Sequence, residues 1–167
     1  MSDLLVRPAM PSDASAIGRV HCRAWRETYT GLLPDAMMAR LSEERSAENF
    51  RREGCRNLFM AVLDGEIVGF CGYGLWREDT PDPTAGEIIG LYVLQKAQAR
   101  GIGTRLLHTA LDTLHNGGCT SAALWVLERN THATDYYQAR GFRDTGLTQG
   151  EGPLRERKMQ LPLSSND

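Results

Sequence analysis

Residues 98–103, Q-A-R-G-I-G, combine residue types that suit the binding of a charged ligand. Gly101 and Gly103 have no Cβ, so a ligand can come close to the backbone there. The N–H groups at a helix start, together with the helix dipole, attract anions, and Arg100 adds positive charge at the same place. The segment therefore predicts a phosphate or pyrophosphate held by backbone amides. The alternative is that the two glycines only make a tight turn into a helix.

Two common phosphate-binding motifs do not fit this segment. The sixth position of a G-x-G-x-x-G pattern is Leu106, and six residues separate Leu94 from Gly101, where a dinucleotide-binding fingerprint has a tight turn. No G-K-S or G-K-T follows, which excludes a Walker loop. An unrelated nucleotide-binding module that uses the same loop stays open as an alternative.

Glu87 is the second candidate for chemistry, at the start of the apolar stretch E-I-I-G-L-Y-V-L. By strict strand alternation Glu87 shares a face with Ile89, Leu91 and Val93. A carboxylate in an apolar row is costly unless it is paired or functional, so Glu87 is our candidate general base. Two alternatives are open: Glu87 lies in solvent at the end of the strand, or it pairs with an arginine.

Two motifs together resemble those of the GNAT acetyltransferase superfamily. The pattern Q-x-x-G-x-G after a strand resembles the acetyl-CoA pyrophosphate loop, and W-V-L-E-R-N (residues 125–130) before D-Y-Y-Q-A-R-G-F (residues 135–142) resembles the fifth strand and the helix that follows it. The resemblance covers nearly the whole chain. It implies an acetyltransferase that moves an acetyl group from acetyl-CoA to an amine in a ternary complex.

The resemblance also implies which residues contact acetyl-CoA. The backbone of Leu91 and Val93 would bind the pantetheine arm, and the side chain of Asn130 would touch it. The pyrophosphate would be cradled by Gln98, Ala99, Arg100, Gly101, Ile102, Gly103 and Thr104. Tyr137 would lie beside the CoA sulfur and protonate the departing thiolate. Tyr136 stands where the family has phenylalanine, so two phenols compete for that role, and spacing favours Tyr137.

The acceptor side should come from the first helices and the loop before Glu87. The candidates are Trp25, Glu27, Tyr29, Trp76 and Glu78, and residues 25–34 resemble the opening segment of many bacterial small-molecule or peptide acetyltransferases. Surface glutamates are common, and Trp25 at helical spacing from Ile17 also suits a core position. We expect a primary amine of a small molecule or peptide as the acceptor. The alternatives are a protein or peptide N-terminal acetyltransferase and a non-catalytic acyl-CoA sensor.

Patterning predicts the elements that position these residues. The order is a strand, helices, three strands, a helix, a strand, a helix and one or two strands, with a hairpin at Asp64-Gly65. The predicted helices include Pro34 to Leu41, Gly101 to His115 and Thr131 to Arg140. We predict one α/β (α+β) domain over residues 1–167. The resemblance implies a mixed, mostly antiparallel sheet of six to seven strands, splayed at its centre and flanked by about four helices.

Composition narrows the class of partner. The net charge of −2 offers no basic stripe for nucleic acid. No stretch approaches 18 consecutive apolar residues, so we expect no membrane span. The four cysteines form no C-x-x-C pair, which argues against a metal site and suits reduced thiols in a cytoplasmic protein. A homodimer is compatible with the sequence, but no motif predicts one.

Overall fold

The computed structural model describes residues 2–77 and 82–164. Within these ranges the chain forms seven strands and five α-helices. The strands are β1 (Leu4–Pro8), β2 (Leu58–Leu63), β3 (Glu66–Leu75), β4 (Ala85–Val93), β5 (Ser121–Leu127), β6 (Arg143–Gln149) and β7 (Glu156–Pro162). The helices are α1 (Ala14–Tyr29), α2 (Asp35–Met38), α3 (Glu43–Arg52), α4 (Ile102–Asn116) and α5 (Thr131–Ala139).

The strands form one mixed sheet in the hydrogen-bonded order β1-β2-β3-β4-β5-β7-β6. Strand β1 pairs antiparallel with β2, β2 with β3, β5 with β7, and β6 with β7, whereas β4 and β5 are parallel. The parallel ladder joins residues 85–87 to residues 121–123 and ends with Glu87 opposite Ala123, although β5 continues to Leu127. The predicted fold class is confirmed. Of the five helices, α2 is a single turn, and the observed number agrees with the predicted number of about four.

Cα packing divides the chain into two compact units. The first unit contains residues 1–72 and 90–110, and the second contains residues 73–89 and 111–167. The expectation of a single domain stays a prediction.

The core of the first unit forms around the apolar stripe of α1. Ile17, Val20 and Ala24 are buried at helical spacing against Met60 of β2 and Phe70 of β3. Helix α3 approaches α1 closely at Gly18, where an added Cβ would lie 2.7 Å from the backbone nitrogen of Ala47. A side chain larger than hydrogen at position 18 would therefore force the two helices apart.

In the second unit the end of α4 packs against β4, and the turn after α5 lies close to Leu161 of β7. Leu114 of α4 is buried, and an added Cβ at Gly86 would lie 2.9 Å from its Cδ1 atom. Gly141 has φ +95° directly after α5, and the N–H of Phe142 donates to the carbonyl of Tyr137 at 3.1 Å. This is a left-handed, Schellman-type helix ending.

Several element boundaries differ from the sequence-based expectation. The helix predicted from Pro34 to Leu41 covers only Asp35–Met38, because the extended backbone at Ser42 (φ −138°) already caps α3. Strand β4 begins at Ala85, two residues before the apolar stretch that starts at Glu87. Strand β7 begins at Glu156, after a 3-10 turn at Gly152–Leu154.

Candidate active site

The segment between β4 and α4 has the backbone geometry of an anion-binding loop. Gln95–Ala97 form a short 3-10 turn, after which Ala99 and Gly101 both adopt left-handed conformations, with φ +62° and +75°. The carbonyl of Gly101 accepts the N–H of Arg105 at 3.0 Å, so Gly101 is the N-cap of α4. Among the described residues, no atom beyond the two chain neighbours lies within 4 Å of a Cβ added at Gly101. The helix start is therefore open to a ligand at this residue.

The loop residues differ in how far their side chains are buried, and this decides whether a ligand could reach a side chain or only the backbone. Residues 98–101 are exposed, Gly103 and Thr104 are half-buried, and the Ile102 side chain is only 2% exposed. A ligand at this loop would therefore meet the backbone of Ile102, whose side chain anchors α4 in the core. Leu91 and Val93, the residues predicted to bind pantetheine, are half-buried on β4.

Three side chains hold this loop in place within the first unit. The Gln98 side-chain amide donates to the carbonyl of Val93 at 3.0 Å, and the ammonium of Lys96 lies 2.7 Å from the Glu66 carboxylate. Glu27 of α1 accepts the backbone N–H of Gln95 at 3.1 Å. Glu27 was predicted as an acceptor-side residue. Its observed contacts are with the loop and with Arg23, whose Nε lies 4.0 Å away.

Glu87 is buried in the second unit and is paired with an arginine. Its side chain is only 4% exposed, and both carboxylate oxygens accept hydrogen bonds from Arg77, at 3.0 Å from Nε and 2.8 Å from Nη2. The arginine-pair alternative therefore describes the observed contacts. The uniform apolar row predicted around Glu87 is not found, since Ile89 is 48% exposed. Sequence reasoning missed Arg77 because it lies ten residues away, across the loop between β3 and β4.

An aromatic and cationic cluster lies on the same sheet face as Glu87. In the sheet register Ala123 is opposite Glu87 and Trp125 is opposite Lys158, so all four share one face. Trp76 packs against Trp125 with ring centroids 6.0 Å apart, and the Lys158 ammonium lies 4.3 Å above the Trp76 ring. Trp76 was predicted on the acceptor side; Trp125 and Lys158 were not. Trp125 alternates with Ala123 along β5, and Lys158 is opposite Trp125 on β7. The sequence could have placed both residues beside Glu87 only if the strand pairing had been known.

The side chain of Trp76 has an unusual polar feature. The residue is 9% exposed, and its indole Nε1 is buried with no hydrogen-bond partner in the described part of the chain. A buried N–H without an acceptor costs about 1–3 kcal/mol. This indole is therefore a donor that a bound molecule could satisfy.

Tyr137 and Asn130 belong to α5 and its N-terminus. Tyr137 is 9% exposed, and its ring packs edge-on against Tyr136 and Phe142. The Cζ atom of Arg140 lies 3.7 Å from the centroid of the neighbouring Tyr136 ring, so a cation stacks on the Tyr136 phenol. The Asn130 side-chain oxygen accepts the N–H of Ala133 at 3.2 Å and caps the helix.

The remaining acceptor-side candidates lie on α1. Trp25 and Tyr29 are half-buried with ring centroids 4.7 Å apart, and the Trp25 indole nitrogen has no hydrogen-bond partner among the described residues. His21 contacts Trp25, and its Nδ1 lies 2.8 Å from the Ser46 hydroxyl. Burial lowers the pKa of His21 below its ordinary value, so the ring tends to be neutral. Glu78, also predicted here, lies outside the described residues.

A mixed sheet whose open, glycine-containing loop leads from a strand into a helix has a geometry that suits a phosphorylated ligand. The sequence model described as the acetyltransferase (GNAT) family matches residues 20–142. The chain belongs to this family and is an N-acetyltransferase. Members of the family take their acetyl group from acetyl-CoA, as the sequence analysis predicts.

Individual relatives cover the chain to different extents. The chain is 34% identical to the thialysine N-epsilon-acetyltransferase of Sus scrofa over 160 residues, 91% of this chain and 90% of the relative. It is 30% identical to the spermine/spermidine N(1)-acetyltransferase of Bacillus subtilis over 86 residues, 50% of this chain and 57% of the relative. The fold matches the PaiA N-acetyltransferase from Thermoplasma acidophilum in complex with coenzyme A, with a TM-score of 0.81, 20% identity, and coverage of 96% of this chain and 99% of that chain.

Within residues 2–77 and 82–164, none of the helices combines the length and apolar character needed to cross a bilayer. The same ranges contain no group of three or more His, Cys, Asp or Glu side chains placed to hold a metal ion.

Proposed function

We propose that this enzyme transfers the acetyl group of acetyl-CoA directly to a primary amine of a small molecule or peptide. The names of two relatives support a small amine, since one is called a thialysine and the other a spermine/spermidine acetyltransferase. Acetyl-CoA supplies the thioester whose carbonyl carbon the amine attacks.

The observation that carries this proposal is the loop from Gln98 to Gly103. The left-handed residues Ala99 and Gly101 turn the chain into α4, and the space beside Gly101 is open. The N–H groups of Ile102 and Gly103 precede the first helical hydrogen bond, that of Arg105. Such N–H groups, together with the helix dipole, attract a pyrophosphate, and the exposed Arg100 adds charge. Thr104 completes the proposed cradle.

Glu87 and Tyr137 are the proposed acid–base pair. An amine of the lysine type is protonated at neutral pH, with an ordinary pKa of about 10.4, so a base must remove a proton before or during attack. We assign this to Glu87. Both of its oxygens accept a hydrogen bond from Arg77, and each keeps a second lone pair that can accept the proton. The proposed role of Tyr137 is to return a proton to the departing sulfur. Leu91, Val93 and Asn130 are proposed contacts of the pantetheine arm.

The cosubstrate part is tested by calorimetric titration with acetyl-CoA, with ADP as the control ligand. We expect micromolar binding of acetyl-CoA and much weaker binding of ADP, which shares the pyrophosphate but lacks pantetheine. Gly101→Ala should weaken acetyl-CoA binding about tenfold or more, because a methyl group would occupy the open space. Gly65→Ala is the matched control, since Gly65 also has a left-handed φ (+83°) and open surroundings. Equal affinity for ADP and acetyl-CoA would favour a general nucleotide-binding module.

The catalytic part is tested with Glu87→Gln and Tyr137→Phe in an assay of free thiol release with an amine panel. General acid–base groups contribute about 10²–10⁴-fold to rate, so each variant should lose activity on that scale while acetyl-CoA still binds. If both variants retain full activity, the assigned roles are wrong. If the wild-type protein binds acetyl-CoA but turns over no amine, the non-catalytic sensor reading is favoured. Turnover only on peptide N-termini would favour a peptide acceptor.

A further inference from the structure

Glu87, the proposed base, is closed off from solvent in this structure. Its side chain is only 4% exposed, although the side chain of Arg77, which pairs with it, is 67% exposed. An acceptor amine must come within hydrogen-bond distance of the carboxylate before it can give up a proton. A group that covers Glu87 must therefore move when the acceptor binds. The sheet register shows which side chains lie over this position.

Two tryptophans lie on the sheet face of Glu87, one on either side of it along the strands. The backbone N–H of Trp76 donates to the carbonyl of Ala85 at 2.9 Å, so Trp76 is opposite the residue two positions before Glu87. Trp125 is two positions beyond Ala123, the residue opposite Glu87. Alternate residues of a strand share a face. The two indole rings meet with centroids 6.0 Å apart, so the contact between them lies over Glu87.

Of these two residues, Trp76 has the stronger physical reason to move. Trp125 lies within β5, between the buried residues Leu124 and Val126, whereas Trp76 follows the last residue of β3. The indole Nε1 of Trp76 is buried with no hydrogen-bond partner among the described residues, on a residue that is 9% exposed. The ring position over Glu87 therefore leaves a donor unpaired, which is costly. A ring that turns aside can satisfy this donor.

We propose that Trp76 determines acceptor specificity: its indole turns aside to admit the amine, and its N–H then donates to a carbonyl oxygen of the acceptor. The proposal rests on the proposed function, because it names the acceptor class of that same site. The class is an amine that also carries a carbonyl group, as a peptide N-terminus or an amino-acid amide does. An indole is a donor only, so alkylamines and polyamines would leave it unpaired. The Lys158 ammonium, 4.3 Å above the Trp76 ring, stabilises the covering position.

The test uses pairs of amines in which an amide replaces an alkyl group of the same shape: glycinamide with isobutylamine, and β-alaninamide with isopentylamine. The measured quantity is the preference ratio, kcat/KM for the amide divided by kcat/KM for its alkyl partner. Trp76→Phe keeps an aromatic ring and removes the N–H. We expect the ratio to be about three- to tenfold lower in Trp76→Phe than in the wild type, the contribution of one neutral hydrogen bond. A difference in amine basicity within a pair cancels, because both proteins receive the same substrates.

Trp125→Phe is the matched control, because it removes an indole N–H from the same ring pair. It should leave the preference ratio unchanged even if both rates fall. A second measurement follows the ring of Trp76 without turnover, in protein labelled with 5-fluorotryptophan and bound to CoA. The chain has three tryptophans, so the fluorine resonance of Trp76 is the one that remains in both Trp25→Phe and Trp125→Phe. This resonance should shift when β-alaninamide is added.

Several outcomes would overturn the proposal. An unchanged ratio in Trp76→Phe, or an equal fall in Trp125→Phe, would refute recognition by the Trp76 N–H while the N-acetyltransferase activity stands. A Trp76 resonance that does not move with β-alaninamide would refute the turning of the ring. If no amine is turned over, the proposed function fails, and Kd values of the same pairs for the CoA-bound protein decide the acceptor class. A preference for the amide that falls in Trp76→Phe would then support the proposal, whereas an equal preference in both proteins, or no binding, would refute it.

Discussion

Replacement of Glu27 with alanine should loosen the loop that leads from β4 into α4. The Glu27 carboxylate accepts the backbone N–H of Gln95 at 3.1 Å, and Gln95 opens the 3-10 turn that precedes the proposed pyrophosphate cradle. Glu27 lies on α1, so this one bond fixes the loop to a helix 68 residues earlier in the chain. No other acceptor for the Gln95 N–H is available from the truncated side chain.

The magnitude follows from the type of bond and its exposure. A hydrogen bond to a charged group contributes about 1.5–3 kcal/mol, but this one lies at the surface, where water can replace the lost acceptor. We therefore expect a loss of about 0.5–1.5 kcal/mol in the free energy of unfolding. For a chain of this length that corresponds to a fall of roughly 2–5 °C in Tm.

Two measurements locate the effect. Acetyl-CoA affinity should weaken by about three- to tenfold in Glu27→Ala, because part of its binding energy must reorder the loop; one factor of ten corresponds to about 1.4 kcal/mol. The KM of the acceptor, measured at saturating acetyl-CoA, should change less than twofold. Glu27→Gln keeps an acceptor oxygen and should restore most of the affinity. Glu48→Ala, on the exposed face of α3, is the control for loss of a surface acid.

The opposite pattern would refute this reasoning. If Glu27→Ala leaves the Kd of acetyl-CoA unchanged and raises the KM of the acceptor, Glu27 is an acceptor-binding residue, as the sequence alone suggested. If the Kd of acetyl-CoA, the KM of the acceptor and the Tm all remain at their wild-type values, the hydrogen bond to Gln95 contributes nothing measurable to stability or binding.

Three further predictions concern the packing and titration of the chain. Gly18→Ala should destabilise the protein by about 2 kcal/mol or more in a denaturant titration, because the added Cβ would lie 2.7 Å from the backbone of α3 at Ala47; an unchanged midpoint would contradict the close approach of the helices. Since burial lowers the pKa of His21, the unfolded chain binds more protons than the native one near pH 6, and stability should fall as pH drops through about 6.5. The decrease in Tm from pH 7 to pH 5 should be smaller in His21→Phe, and an equal decrease would argue against a neutral buried ring. Burial raises the pKa of the Cys71 thiol to about 12, so a thiol reagent should label it at pH 8 only at the rate of unfolding, and fast labelling of native protein would contradict this.

The order of helices and strands was predictable from the sequence because each element has its own local pattern of apolar and turn-forming residues. Strand β3 and the Asp64-Gly65 turn agree with the hairpin pattern, and β5 agrees with its apolar run at Ser121–Leu127. The position of β7 between β5 and β6 was not predicted. Strand order is decided by contacts between distant segments, and single-chain periodicity carries no information about which strand becomes a neighbour.

The loop after β4 shows where sequence reasoning about backbone conformation stops. Gly101 was expected to serve a close approach to ligand, and it has the left-handed φ that glycine tolerates. Ala99 has φ +62° as well, which costs an L-residue about 1–2 kcal/mol. The residue type at position 99, alanine, does not predict this conformation. The segment beside it is tethered by contacts that the residue type does not reveal, the Gln98 amide on Val93 and Lys96 on Glu66.

The acidic residues illustrate a more general limit, which bears on how the site should be tested. Sequence reasoning selected Glu27 and Glu87 as groups that would face the acceptor, because a carboxylate suits an amine. In the fold each of these carboxylates accepts a hydrogen bond from the protein itself. Glu27 accepts one from the backbone N–H of Gln95, and Glu87 accepts one from the guanidinium of Arg77. Removal of either acid therefore leaves a protein donor without its partner in addition to any lost contact with substrate. Loss of activity alone cannot assign their roles, and only the separation of acetyl-CoA affinity, acceptor KM and kcat can do so.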